Sequence, residues 1–194
     1  KAIGMEHVFS NTAAGFLGLQ ESVINYAGNK SPEFITCMHE ESSVGMAHGY
    51  YKASGKPAAV FAQATVGTQH AAMAIYNAFC DRAPMMMFFG NTLDATGRAS
   101  QTDWRHAAID PVSMIRDFTK WDDQPVSLQH FAESTVRGHR MAMTPCMGPV
   151  ALSVDSDLQE ADLHDRSKLH IPRVAAAAPP VGDFGDRKST RLNS

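Results

Sequence analysis

Two adjacent glutamates, Glu40 and Glu41, stand near the start of "HEESSVGMAHGYYKASGKP" (39–57), directly after the apolar run "EFITCM" (33–38). An acidic first turn suits the helix dipole, and Glu41 is read in that way. It is rotated about 100° around the helix from Glu40 and cannot share the same pocket. Glu40 follows the strand directly, so its side chain is expected over the strand's carboxyl end, where a partner or cofactor can bury it. A carboxyl in an apolar pocket holds or shares a proton near neutrality, which makes Glu40 the candidate acid–base group. A second polar pair brackets the turn in "QATVGTQHA" (63–71): Gln63 and His70 flank it, and Gly67 permits close backbone approach. Taken alone, Gln63 and His70 read first as structural residues and second as members of a site.

Several familiar chemistries fail on spacing. His39-Glu40 would begin a zinc-protease motif, but Ser43 stands where the second histidine is needed, and His48 is off the required face. No metal site is expected in this chain. "AGNKS" (27–31) lacks the glycine spacing of a P-loop, and neither the GxGxxG dinucleotide fingerprint nor a Gly-x-Ser-x-Gly nucleophile turn is present.

The elements that must position these residues alternate regularly. Short apolar runs at 7–10, 33–38, 58–63, 84–90 and 148–155 read as strands, with a further strand expected at 117–121. Between them, 13–28, about 41–54, 67–81 and 127–143 carry apolar residues at helical spacing, and Gly55 with Pro57 closes the second helix. Strands that are apolar throughout and separated by helices predict an α/β fold, a doubly wound parallel sheet with helices on both faces. In such sheets ligands bind beyond the carboxyl ends of the strands. The loops at 10–14, 38–41, 63–68 and 90–106 are therefore expected to converge there.

The bulk of the chain sets limits. With 44% hydrophobic and 19% charged residues it has ordinary globular composition, and 194 residues suffice for one α/β domain. A net charge of −3 points to no nucleic-acid partner, and no apolar run is long enough to span a membrane. Three scattered cysteines (Cys37, Cys80, Cys146) argue against a disulfide framework and for a reducing, cytoplasmic compartment. The expected organisation is a domain over 1–156, a linker over 157–185 and a foreign tail over 186–194. The linker's end, "RVAAAAPPVGDFG" (173–185), is rich in Ala and Pro without periodicity. The tail, "DRKSTRLNS" (186–194), resembles translated sequencing adapter, so the chain is expected to be a fragment.

With these residues in place, the stretch from His39 to Asn91 resembles the pyrimidine-binding N-terminal domain of thiamine-diphosphate enzymes. The relatives are the acetolactate synthase, benzoylformate decarboxylase and pyruvate decarboxylase group. The likeness rests on Glu40, Gly49-Tyr50, Gly55-Lys56-Pro57, Gly67 and Asp81-Arg82-Ala83-Pro84 through Gly90, in order, and runs more weakly over about 8–156. It implies that Glu40 is the catalytic glutamate that hydrogen-bonds the aminopyrimidine nitrogen N1′, favouring the tautomer whose 4′-nitrogen takes the thiazolium C2 proton. It further implies that Thr12, Ala13, Val66, Gly67 and His70 bind the cofactor, with Gln63 and His70 in catalytic positions.

The chain departs from the family pattern in both loops. Thr12 and Ala13 replace a proline and a glycine, and His70 stands where asparagine is usual. Gln63 takes the place of an active-site histidine found in some decarboxylases of the group. The implied cofactors are thiamine diphosphate and Mg2+, whose ligands would lie in a missing C-terminal domain. FAD is open but unsupported. The implied partners are a 2-oxo acid substrate and further copies of the chain, in a homodimer or tetramer formed through the pyrimidine domain. The function expected is decarboxylation or carboligation of 2-oxo acids by the full-length enzyme. The alternatives are a subunit of a split enzyme or a non-catalytic partner, and an unrelated small-molecule-binding domain.

Overall fold

The computed structural model describes residues 2–93 and 106–173. Six parallel strands form one sheet in the order β2-β1-β3-β4-β6-β5. They are β1 (His7–Ser10), β2 (Glu33–Thr36), β3 (Ala59–Gln63), β4 (Met85–Asn91), β5 (Trp121–Asp123) and β6 (Pro149–Asp155). The central strands are buried on both faces, which is why their sequences are continuously apolar rather than alternating. Within β4 successive side chains serve opposite cores: Met85, Met87 and Phe89 point to one, Met86 and Phe88 to the other.

The principal helices are α1 (Leu17–Glu21), α2 (Glu40–Ser54), α3 (Thr65–Cys80) and α4 (Leu128–Met143). The core holding Phe9, Val60 and Met87 includes Val44 and Ala47 of α2 and Ala71, Ala74, Ile75 and Ala78 of α3. The core on the other face, with Phe61 and Met86, takes in Phe16, Ala142 and Leu158. The fold is thus the doubly wound α/β sheet expected from the alternation of elements. α2 begins at Glu40, one residue before its expected start, and ends at Gly55, whose φ of 72° is the left-handed cap that glycine adopts freely.

The strand expected at 117–121 is displaced. Residues Pro111–Phe118 form a 3-10 helix capped by Asp110, and the strand lies at Trp121–Asp123. Val112 and Ile115, three residues apart, bury one side of that helix. The segment after β6 folds back on the first loop: Gln159 Nε2 donates to the carbonyls of Gly15 (2.8 Å) and Val154 (2.9 Å). Further on, the backbone N–H of His170 donates to Gln129 of α4 at 2.9 Å. Residues 94–105 of the loop at 90–106, and the tail from 174 onward, lie outside the described residues.

Candidate active site

β1 is flanked by β2 on one side and β3 on the other, so the chain winds away in both directions from this point. Such a switch point leaves a crevice beyond the strand ends. A cleft of about 520 Å³ lies there, lined by Asn11, Thr12, Ala13, Ala14, His39, Glu40, Gln63, Val66, His70 and His106. The described parts of the four loops expected to converge all reach it.

Glu40 is the buried acid of the cleft, only 4% exposed. Its position follows from local structure: β2 ends at Thr36, a short turn follows, and His39 caps α2 in extended conformation. The cap is unusual, because an imidazole Nδ1 rather than a hydroxyl or amide oxygen accepts the Glu41 N–H, at 3.2 Å. Glu41 itself faces solvent, as expected. Gly67 lies behind Glu40: a Cβ there would sit 3.0 Å from Ala62 Cβ and 3.4 Å from Glu40 Cγ. The glycine therefore makes room for the carboxylate against β3 and the first turn of α3.

His70, one turn further along α3, brings Nδ1 to 3.3 Å from Glu40 Oε2. An N–H at that nitrogen donates to the carboxylate, which orients both groups. One face of the His70 ring stacks on His39, with centroids 4.7 Å apart and planes inclined by 17°. His70 keeps 56% of its side chain exposed toward the cleft, so it bridges the buried acid and the open mouth.

Gln63 lines the cleft but is committed to the scaffold. It is 6% exposed, and its Oε1 accepts the backbone N–H of Gly15 at 2.9 Å. That bond fixes the first loop, in which Thr12 and Ala13 form part of the cleft wall. Gly15 and Gly90 pass so closely that a Cβ on Gly90 would lie 2.0 Å from the Gly15 carbonyl oxygen. On the far wall, Thr65 Oγ1 donates to the His106 carbonyl (2.6 Å), and Asn91 Nδ2 donates to that of Ala108 (2.7 Å). These bonds hold His106 at the cleft.

Of the residues singled out from the sequence, Thr12, Ala13, Glu40, Gln63, Val66 and His70 line one cleft, and Gly67 backs it. Asn11, Ala14, His39 and His106 also line it and were not among them. Each comes from a loop already assigned to the cleft, and loop membership was the available signal.

Fold and site together define a parallel α/β ligand-binding domain with one buried carboxylate at its switch point. A family model described as "Thiamine pyrophosphate enzyme, N-terminal TPP binding domain" matches residues 1–112, and the chain belongs to this family. The acetolactate synthase large subunit of Lactococcus lactis is 26% identical over 175 residues, covering 89% of this chain and 29% of the relative. Benzoylformate decarboxylase of Pseudomonas aeruginosa is 28% identical over 165 residues, covering 82% of this chain and 31% of the relative. The crystal structure of benzoylformate decarboxylase from Polynucleobacter necessarius shares the fold, with a TM-score of 0.72 at 19% identity over 92% of this chain and 31% of that one. The chain thus spans less than a third of the length of these relatives. No described helix is long and apolar enough to cross a membrane.

Proposed function

We propose that this chain is the pyrimidine-binding part of a thiamine-diphosphate enzyme that decarboxylates or carboligates 2-oxo acids, with Glu40 as its proton-sharing acid. The observation that carries the reading is the Glu40 carboxylate, nearly fully buried yet forming part of the wall of an open cleft. Burying a carboxylate without hydrogen bonds is costly, and His70 supplies only one contact. A protonated or proton-sharing ring nitrogen is the kind of partner that completes the set. The cleft volume accommodates an aromatic heterocycle, and the missing Cβ of Gly67 keeps the wall behind Glu40 thin. The residues present therefore fit the aminopyrimidine half of the cofactor.

When bound, thiamine diphosphate supplies the carbon nucleophile and electron sink that loss of CO2 from a 2-oxo acid requires. Glu40 would hold the proton at ring nitrogen N1′, and His70 orients its carboxylate. Val66, Thr12 and Ala13, which line the cleft, would hold the ring, while Gln63 acts through the loop it holds. Mg2+ and the diphosphate are assigned to ligands outside these 194 residues, supplied by a further domain of a neighbouring subunit. The active unit is then at least a dimer, housed in the cytoplasm.

In the enzyme that carries this chain, E40Q should lower 2-oxo acid turnover by ~10²–10⁴-fold. Exchange of the cofactor's C2 proton, followed by NMR in D2O, should slow in parallel while the circular dichroism spectrum is kept. A chain that serves as a non-catalytic partner would keep its cofactor affinity and the assembly's turnover in E40Q, and that outcome would remove the reading.

A further inference from the structure

His39, Glu40 and His70 each offer one ligand atom, and the three atoms all lie within 4.8 Å of one another. We propose that this cluster binds a divalent transition-metal ion of the zinc type, and that the ion competes with the aminopyrimidine for Glu40. The competition rests on the function proposed above; metal binding does not.

The donor set selects the ion. Two imidazole nitrogens and one carboxylate oxygen are the ligands of open, three-ligand zinc sites, whereas Mg2+ and Ca2+ favour shells of oxygen. Ligands about 2.0–2.1 Å from a tetrahedral ion stand roughly 3.3 Å apart, and His70 Nδ1 and Glu40 Oε2 are already separated by 3.3 Å. The proton that His70 Nδ1 donates to Glu40 moves to Nε2, freeing Nδ1 for the ion, and His39 has to close in. Its side chain is partly exposed, and its ring, now stacked on His70, tilts out of that stack so that both in-plane lone pairs meet one ion. Glu40, the buried member, is held by the first turn of α2 and needs no movement. A fourth coordination position faces the cleft.

Two features make the site reversible rather than permanent. The Nδ1 lone pair of His39 now accepts the Glu41 N–H. Binding through that nitrogen removes the bond, and binding through Nε2 shifts a proton to Nδ1 and also removes it. The ion further sits at the positive end of the α2 dipole. An affinity in the micromolar range is expected, below that of a structural zinc site. No local sequence motif encodes the site, because its second histidine comes from α3, not from one turn further along α2.

The test is calorimetric titration of the chain with zinc chloride in a non-coordinating buffer. One equivalent should bind, and MgCl2 under the same conditions should not. H39N keeps a capping side chain, and H70N keeps a polar one; each should weaken zinc binding by about tenfold or more. H130A, which removes an imidazole paired with Asp123 outside the cleft, should leave it unchanged. Absence of zinc binding, or binding that survives H39N and H70N together, overturns the site and leaves the Glu40 reading standing. Thiamine, which lacks the zinc-chelating diphosphate, should weaken zinc binding at saturating concentration. Zinc bound by these three residues with no response to thiamine overturns the competition and counts against the aminopyrimidine reading instead.

Discussion

Gln63 and Glu40 both occupy strand-to-helix junctions at the cleft, yet they answer to different constraints. Gln63 Oε1 is taken by the Gly15 N–H, inside the structure; Glu40 meets one exposed imidazole and then the open cleft. Q63A should therefore act on stability, leaving a buried N–H without its acceptor at a cost of about 1–3 kcal/mol. Chemical denaturation reads that directly. A Q63A protein of unchanged stability would show that the Gly15 bond contributes little and return Gln63 to the catalytic list. The position of Glu40 was legible because a charged residue directly after an apolar strand can go only to the strand's carboxyl edge. His39 and His106 were not legible. A histidine is a rare helix cap, and His106 is held at the cleft by backbone carbonyl contacts from Thr65 and Asn91 that no spacing rule encodes.

Among the elements, β1, β3, β4 and β6 were readable because burial on both faces removes polar residues from them. β5 was not, because an edge strand reading Trp-Asp-Asp is half-exposed along its length and carries no apolar run. The helix at Pro111–Phe118 had signals that pointed to it, an Asp cap, Pro at the first position and apolar residues at three-residue spacing, but the 3-10 period falls between the strand and α-helix templates. Two glycines, Gly55 after α2 and Gly90 within β4, separate two kinds of constraint. Gly55 has a left-handed φ of 72° and no atom within 4 Å of its added Cβ, so G55A should cost about 1 kcal/mol in backbone strain alone. Gly90 has an ordinary backbone, but its Cβ would meet the Gly15 carbonyl, a backbone atom that cannot step aside. G90A should cost about 3 kcal/mol or more, or prevent folding, and the loss should exceed that of G55A in the same melt. Equal losses would mean that the first loop moves freely away from β4.

For the whole molecule, the side of the domain next to the cleft is too apolar for a solitary surface. Val66, Met73 and Tyr76 recur along α3 at helical spacing and are 36%, 58% and 46% exposed, and Met46 on the adjoining α2 is 44% exposed. Scattered exposed apolar residues need no explanation, but a stripe along one helix is the kind of surface a partner covers. Val66 also lines the cleft, so a second copy seated on the stripe would close over the cleft mouth as it forms the dimer proposed above. Contact and catalysis are then coupled. The chain should self-associate with rising concentration in sedimentation velocity, and M73E, which places a charge in the stripe, should raise the dissociation constant by about tenfold or more. In the enzyme carrying the chain, M73E should lower turnover at dilute protein and recover it as concentration rises, because Met73 would touch the proposed partner rather than the cleft. A chain that stays monomeric at high concentration would remove the stripe from the assembly. Turnover lost in M73E with association unchanged would instead mean that α3 transmits the substitution to Glu40 within one subunit.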